Sequence, residues 1–218
     1  NQLLAITGPG VTATFGYDPL GRRQSRGVNG ASTQFLYDGL NPIQEAGTTG
    51  IATLLTGLGI DEYLTRTDAA GASTLLTDAL GSTVALTDAA GVVQTQYTYE
   101  PFGATAVTGP TEANVFQYTG RENDGTGLYY YRARYYHPTL QRFISEDPIG
   151  LRGGINVYAY VQNRPLYWID PLGLDVTISL YKCCLGFNHI GIGINADSPF
   201  YTVGFYPKTP HSLVDPGV

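Results

Sequence analysis

The stretch from Thr67 to Gly91 reads TDAAGASTLLTDALGSTVALTDAAG and contains one unit three times. Each unit is Thr-Asp-Ala-x-Gly, and the units begin at Thr67, Thr77 and Thr87. Apolar and β-branched residues fill the intervals. Each unit also offers an Asp that can bind its own backbone and a Gly that tolerates positive φ. Turns recurring at such short, regular intervals predict an antiparallel β meander.

The same alternation of turns and short strands continues on both sides of this stretch. Tyr17-Asp18-Pro19-Leu20-Gly21 and Tyr37-Asp38-Gly39 have turn residues, and residues 94–99 (QTQYTY) alternate as a half-buried strand does. Further strands are expected at 115–121, at 128–136 with tyrosines packed on both faces, and at 156–161. The sequence therefore predicts a mainly β fold, with an antiparallel sheet over residues 1–118, a loop-rich closing segment over 119–174, and the β-rich start of a second domain over 175–218.

Composition narrows the classes of partner. The net charge is −6, and the longest basic run is the pair Arg22-Arg23, whereas a nucleic-acid surface needs clustered Lys and Arg. No stretch approaches the roughly 20 apolar residues of a membrane span. Asn1 does not open a signal peptide, and the absence of Met leads us to expect a piece of a longer protein. Nucleic acid is therefore not an expected partner of this region, and no membrane span is expected.

Two Asp-Pro-x-Gly-Leu motifs supply the candidate chemistry. They are Asp147 to Leu151 and Asp170 to Leu174, and the character of the sequence changes directly after the second. Two carboxylates held in contact acquire different pKa values, which provides one base and one acid for amide hydrolysis. We predict Asp147 and Asp170 as this pair, with Arg142 holding one carboxylate. Asp-Pro is also an ordinary turn opener, so a purely structural role remains open.

The ordered motifs resemble the C-terminal core of Rhs (YD-repeat) proteins over roughly residues 1–174. The resemblance rests on Tyr17-Asp18-x-x-Gly21-Arg22, on YEPFG at 99–103, on TGRE at 119–122, on GLYYYRARYY at 127–136, on RFISEDPIGL at 142–151 and on the second Asp-Pro motif. The resemblance implies a β shell that encloses a variable toxin, and a core that plugs the shell. It also implies an aspartyl autoprotease that cuts between Leu174 and Asp175.

The residues after Leu174 form three alternating β runs, at 175–181, 188–195 and 201–207. His189 leads the second run, and the adjacent Cys183 and Cys184 precede it. A Cys-His pair can form a thiolate nucleophile, but buried cysteines and a hydrogen-bonded strand histidine explain the pattern equally. The run also resembles the opening of permuted papain-like hydrolases, which would make His189 catalytic with a later nucleophile. The Cys and His spacing implies no metal, and no cofactor is expected.

Three functions remain open from the sequence. The leading one, which the resemblance implies, is a bacterial polymorphic toxin that is secreted or delivered into target cells, for example by type VI secretion in interbacterial competition. Its partners would be its own toxin domain, the remaining Rhs shell, an immunity protein, and secretion spike or chaperone proteins. The second is a non-enzymatic β-repeat module for adhesion or carbohydrate binding through exposed tyrosines. The third is a hydrolase that uses His189.

Overall fold

The computed structural model describes residues 2–110 and 114–174, and beyond them the backbone of three strands at 177–182, 188–193 and 202–203. The described residues form β-strands, turns and three short 3-10 helices, without an α-helix. The predicted mainly β fold is therefore confirmed. No helix in the described part is long and apolar enough to cross a membrane.

Residues 5–108 form one antiparallel sheet of eleven strands whose spatial order is the chain order. Each strand pairs with the next through a connection of two to six residues, which confirms the predicted meander. Buried and exposed residues alternate along most strands, as in Val11–Tyr17, where Ala13 and Phe15 are buried. The strands are β1 Ala5–Gly8, β2 Val11–Tyr17, β3 Arg23–Val28, β4 Ala31–Asp38, β5 Asn41–Gly47, β6 Gly50–Thr56, β7 Tyr63–Asp68, β8 Gly71–Thr77, β9 Thr83–Thr87, β10 Val93–Tyr99 and β11 Thr105–Thr108.

The repeated Asp residues build the turns of this sheet. Asp18, Asp78 and Asp88 each accept hydrogen bonds on Oδ1 from the backbone N–H groups two and four residues later, at 2.8 to 3.0 Å. The glycine three residues later donates its N–H to the carbonyl of the same Asp and has a φ near +80°. Only glycine adopts that conformation without strain, so Asp and Gly together fix the geometry of these three turns. The unit at Thr67 forms a shorter hairpin turn instead, in which Asp68 pairs with Gly71 and Gly71 has a φ of +130°.

The closing segment forms a second sheet, which has four strands. Three strands predicted from the sequence, at 115–121, 128–136 and 156–161, differ from what the structure shows. Its strands are β12 Glu122–Asn123, β13 Tyr129–Tyr131, β14 Arg134–His137 and β15 Arg142–Phe143. The expected single strand at 128–136 is a hairpin, because Arg132 has a φ of +56° and reverses the chain. Residues 115–121 contain one bridge and the 3-10 helix Tyr118–Gly120. Residues 156–161 contain one bridge, and the 3-10 helix Val161–Asn163 begins at their end.

The closing segment packs on one face of the long sheet through aromatic residues. One buried cluster joins sheet residues such as Leu54, Tyr63 and Leu86 to Phe116, which lies in the chain between β11 and the closing segment. Another joins Ala13 and Phe15 to Tyr130 and Tyr135, while the closing segment also has its own cluster of tyrosines. The predicted packing of this tyrosine-rich run in the core is confirmed, because residues 129, 130, 131, 135 and 136 are at most 2% exposed. The dense aromatic core holds the two Asp-Pro motifs against a rigid support.

Beyond Leu174 a third antiparallel sheet contains β16 Thr177–Lys182, β17 Asn188–Gly193 and β18 Thr202–Val203. These strands overlap the three predicted β runs, and the first strand extends one residue beyond its run, to Lys182. The boundaries at 118/119 and 174/175 stay predictions. The first strand of the closing sheet, β12, begins at Glu122, after the 118/119 boundary. The third sheet begins at Thr177, after the 174/175 boundary.

Candidate functional site

The two Asp-Pro-x-Gly-Leu motifs fold as turns related to those of the repeats. Oδ1 of Asp147 accepts a hydrogen bond from the N–H of Ile149 at 2.9 Å, and Oδ1 of Asp170 accepts one from the N–H of Leu174 at 3.0 Å. Gly150 and Gly173, with φ of +65° and +67°, donate to the carbonyls of these Asp residues. One oxygen of each carboxylate therefore has the structural role that Asp-Pro sequences commonly have.

The second oxygen of each carboxylate faces the same cation. Nη2 of Arg134 lies 3.0 Å from Oδ2 of Asp147 and 3.4 Å from Oδ2 of Asp170. Asp147 Oδ2 accepts no hydrogen bond from the described residues, so its contact with Arg134 is an ion pair alone. All three side chains have no exposed surface. The structure thus brings together the two carboxylates that the sequence predicts as a pair.

Arg134, rather than Arg142, occupies the supporting position. Its Nε donates to the carbonyl of Gly173 at 2.5 Å, its Nη1 donates to the carbonyl of Val157, and the guanidinium lies 3.6 Å from the centre of the Phe143 ring. Arg142 is exposed, and its guanidinium lies over the ring of Tyr158. The predicted role of Arg142 is therefore wrong, because its strand directs it to the surface.

The peptide unit before the predicted cut is held on both sides. Its carbonyl, that of Gly173, accepts from Arg134, and its N–H, that of Leu174, donates to Asp170. A Cβ on Gly173 would lie 2.3 Å from the carbonyl oxygen of Tyr131, so the turn packs directly on the backbone of the β13–β14 hairpin. Asp175 lies outside the described residues. The arrangement places two buried carboxylates, one of them bound to the residue before the predicted scissile bond, in one site.

Gly173→Ala should disrupt this site, whereas Gly150→Ala should leave it in place. The two glycines occupy the same position of the two motifs and have nearly the same φ, so alanine costs each about the same backbone strain, of order 1 kcal/mol. Only at Gly173 would the added methyl also clash with backbone, since the space around Gly150 is open. For the cut that the sequence predicts between Leu174 and Asp175, we expect the new N-terminus to form about 100-fold more slowly in Gly173→Ala.

Gly150→Ala is the matched control for backbone strain. Thermal unfolding of both variants measures how much that strain lowers stability. Equal cleavage rates in the two variants would show that the close packing of Gly173 on the hairpin has no part in the reaction.

The residues predicted in the tail are placed only in part. His189 lies in β17, paired with Tyr181 in β16, and nothing of its side chain is described. Cys183 and Cys184 lie outside the described residues. The hydrolase interpretation of His189 therefore stays a prediction.

The tyrosines of the 128–136 run are not available as a stacking surface. Burial in the core leaves no ring face of Tyr129, Tyr130 or Tyr131 for a base or a sugar. Burial also raises the pKa of Tyr129 and Tyr130 to about 12, so both stay neutral at physiological pH. The adhesion interpretation would need other, exposed aromatic residues.

Several known proteins similar to this chain are bacterial toxins. No protein-family model matches it. Double-stranded DNA deaminase toxin A of Burkholderia cenocepacia is 34% identical over 204 residues, which cover 78% of this chain and 14% of that protein. Toxin subunit YenC2 of Yersinia entomophaga is 43% identical over 89 residues, covering 38% of this chain and 9% of the subunit.

A solved structure shares the fold. The crystal structure of TcdB2-TccC3-TEV matches with a TM-score of 0.63 and 26% identity, over 77% of this chain and 9% of that one. The chain thus spans about a seventh or less of the length of these relatives. In sequence and in fold, it is similar to a small region of Tc and Rhs-type toxin proteins.

Proposed function

We propose that this chain is the closing region of an Rhs-type toxin shell and that it cuts its own backbone between Leu174 and Asp175. The single observation that carries the proposal is the meeting of Asp147 and Asp170 on one buried guanidinium nitrogen, with Asp170 also binding the N–H of Leu174. Turn formation alone needs one oxygen of each carboxylate. It gives no reason for both second oxygens to converge in the interior.

The proposed reaction is amide hydrolysis by an aspartic pair. One carboxylate removes a proton from water as the water oxygen attacks the carbonyl carbon of Leu174. The other, protonated carboxyl donates to the carbonyl oxygen. The intermediate collapses when the C–N bond breaks and the nitrogen of Asp175 takes a proton, giving a carboxylate on Leu174 and a new amine.

Burial supports this assignment. Asp147, Asp170 and Arg134 have no exposed side-chain surface, so the two acidic groups lie together in the interior beside one cation. Two neighbouring carboxyl groups are the arrangement from which an aspartic pair acts as both base and acid.

The relatives support a toxin context for the cut. They include a deaminase toxin and a toxin subunit, each far longer than this chain. A cut after Leu174 would separate residues 1–174 from the chain that follows them. We propose that the following chain is the toxin, released inside the shell, and that this toxin and the rest of the shell are the immediate partners. Delivery, whether by type VI secretion or another route, would involve spike or chaperone proteins, and an immunity protein would protect the producing cell.

Intact mass and N-terminal sequencing of the purified wild-type chain and of Asp147→Asn test the cut. We expect a new N-terminus at Asp175 in the wild type and a rate at least about 100-fold lower in Asp147→Asn. Asparagine keeps the Oδ1 acceptor for the N–H of Ile149, so the turn survives while the acid–base group is lost.

Asp78→Asn is the matched control, since Asp78 opens a related turn inside the long sheet. Normal cleavage of Asp147→Asn, or a wild-type chain of 218 residues that stays whole, would contradict the proposed mechanism.

A further inference from the structure

We propose that Arg132 is a positioning residue that couples self-cleavage to the folding of the long sheet. The inference rests on the proposed cut and adds a condition to it. The cut would become fast only after the turns of the sheet beside the closing segment have formed. Arg132 stands between those turns and the turn that carries Leu174.

Arg132 lies at the tip of the β13–β14 hairpin, and its side chain is 13% exposed. Its Nη1 donates to Oδ2 of Asp61 at 2.9 Å and to the carbonyl of Pro171 at 2.5 Å. Its Nη2 donates to Oδ1 of Asp61 at 2.6 Å and to the carbonyl of Leu40 at 3.0 Å. One guanidinium therefore contacts the long sheet and the second Asp-Pro motif together.

The contacts on the sheet side depend on correct strand pairing. Leu40 lies between β4 and β5, and Asp61 lies between β6 and β7. The two turns are joined, because Asn41 Oδ1 accepts from the N–H of Asp61 at 2.9 Å. Asp61 also pairs with the buried Arg121, which fixes its carboxylate. Arg132 can therefore form its full set of bonds only when both turns are in place.

The contacts on the cleavage side form a regular series. Three successive carbonyls, those of Pro171, Leu172 and Gly173, accept from Arg132 Nη1, from the N–H of Ala133 and from Arg134 Nε, respectively. The hairpin thus holds the whole turn before Leu174. Loss of the first bond frees the start of that turn, and a displacement of about 1 Å at a reacting group is enough to slow a reaction 100-fold.

The coupling gives the cut a sensible order. A chain cut before its sheet had folded would lose the covalent link between shell and toxin before the toxin was enclosed. Through Arg132, the turn at Pro171 depends on Leu40 and Asp61, which lie 131 and 110 residues earlier in sequence. The cut therefore follows the folding of the sheet.

Arg132→Met and Arg26→Met, compared in the full-length chain, test this coupling. Arg26 is the matched control, because its side chain is 14% exposed and it also pairs the sheet with the closing segment, through Asp124 at 3.0 Å, without contacting the cleavage turn. The fraction cut is followed by intact mass during cell-free synthesis, and thermal unfolding is measured on both variants in an Asp147→Asn background. We expect similar losses of melting temperature, with cleavage slowed about 100-fold in Arg132→Met alone.

Arg132→Lys should recover part of the rate, because an ammonium can still donate to Asp61 and Pro171. Arg132→Lys also provides the test of the coupling if Arg132→Met does not fold. Equal cleavage rates in Arg132→Met and Arg26→Met, beside a wild type that is cut, would overturn the coupling and leave the proposed cut standing. A wild type that stays whole would overturn both.

Discussion

Arg134→Met is expected to leave the chain uncut and to lower its free energy of unfolding by about 3–5 kcal/mol. Methionine has a similar length and packs well against Phe143, so the loss comes from charge and hydrogen bonding rather than from volume. Asp147 and Asp170 would lose the buried cation that both contact, and the carbonyls of Gly173 and Val157 would each lose the hydrogen bond from Arg134. Urea unfolding and intact mass of the purified chain measure the two effects.

Arg142→Met is the control for this variant. Arg142 lies eight positions later and is exposed, and its contact with the ring of Tyr158 is worth about 0.5–1 kcal/mol. We expect cleavage at the wild-type rate and a small change in stability. Loss of cleavage in Arg142→Met with normal cleavage in Arg134→Met would restore the assignment made from the sequence and contradict the geometry of the site.

The long sheet was predictable because its information is local. The Asp that accepts two backbone N–H groups and the Gly three residues later act within one turn, so the Thr-Asp-Ala-x-Gly spacing alone indicates the meander. The β13–β14 hairpin was not predictable in the same way. Nothing inside Tyr129 to Tyr136 signals a turn. Arg132 adopts positive φ at the hairpin tip, and its side chain is bound there by Asp61, Leu40 and Pro171, all distant in sequence.

In the candidate site too, the local motifs were predictable from the sequence and the long-range contact was not. The repeated Asp-Pro motif identified Asp147 and Asp170 from the sequence. The arginine between them was missed because Arg142 lies nearer to Asp147 in sequence, whereas Arg134 reaches the pair through the folded hairpin. One signal was present: a strand expected to bury tyrosines on both faces also contains Arg132 and Arg134, and a buried arginine needs carboxylate partners.

Arg23→Met should be among the most destabilising substitutions in the long sheet, at about 3–5 kcal/mol. The Arg23 side chain has no exposed surface and pairs with the equally buried Glu122 and Asp124 of the closing segment. Its guanidinium also lies 4.2 Å from the ring centre of Tyr130. Removal of this cation leaves Glu122 with Arg121 at 3.8 Å as its remaining ion-pair partner among the described residues. Urea unfolding in an Asp147→Asn background, which keeps one species in solution, measures the cost.

Arg22→Met is the neighbouring control, since Arg22 pairs with Asp18 at 2.7 Å at a site where its side chain is 29% exposed, and such pairs contribute about 0–1 kcal/mol. Adding Glu122→Gln to Arg23→Met should recover part of the lost stability, because the buried carboxylate without its cation is then gone. A further loss of stability in the double variant would mean that Glu122 is held mainly by Arg121. A similar loss of stability in Arg22→Met and Arg23→Met would mean that burial of the Arg23 ion pairs adds nothing to their contribution. The double variant separates two causes of the lost stability. Glutamine at position 122 does not fill the space that the Arg23 side chain leaves, so a recovery must come from removal of the buried charge and not from restored packing.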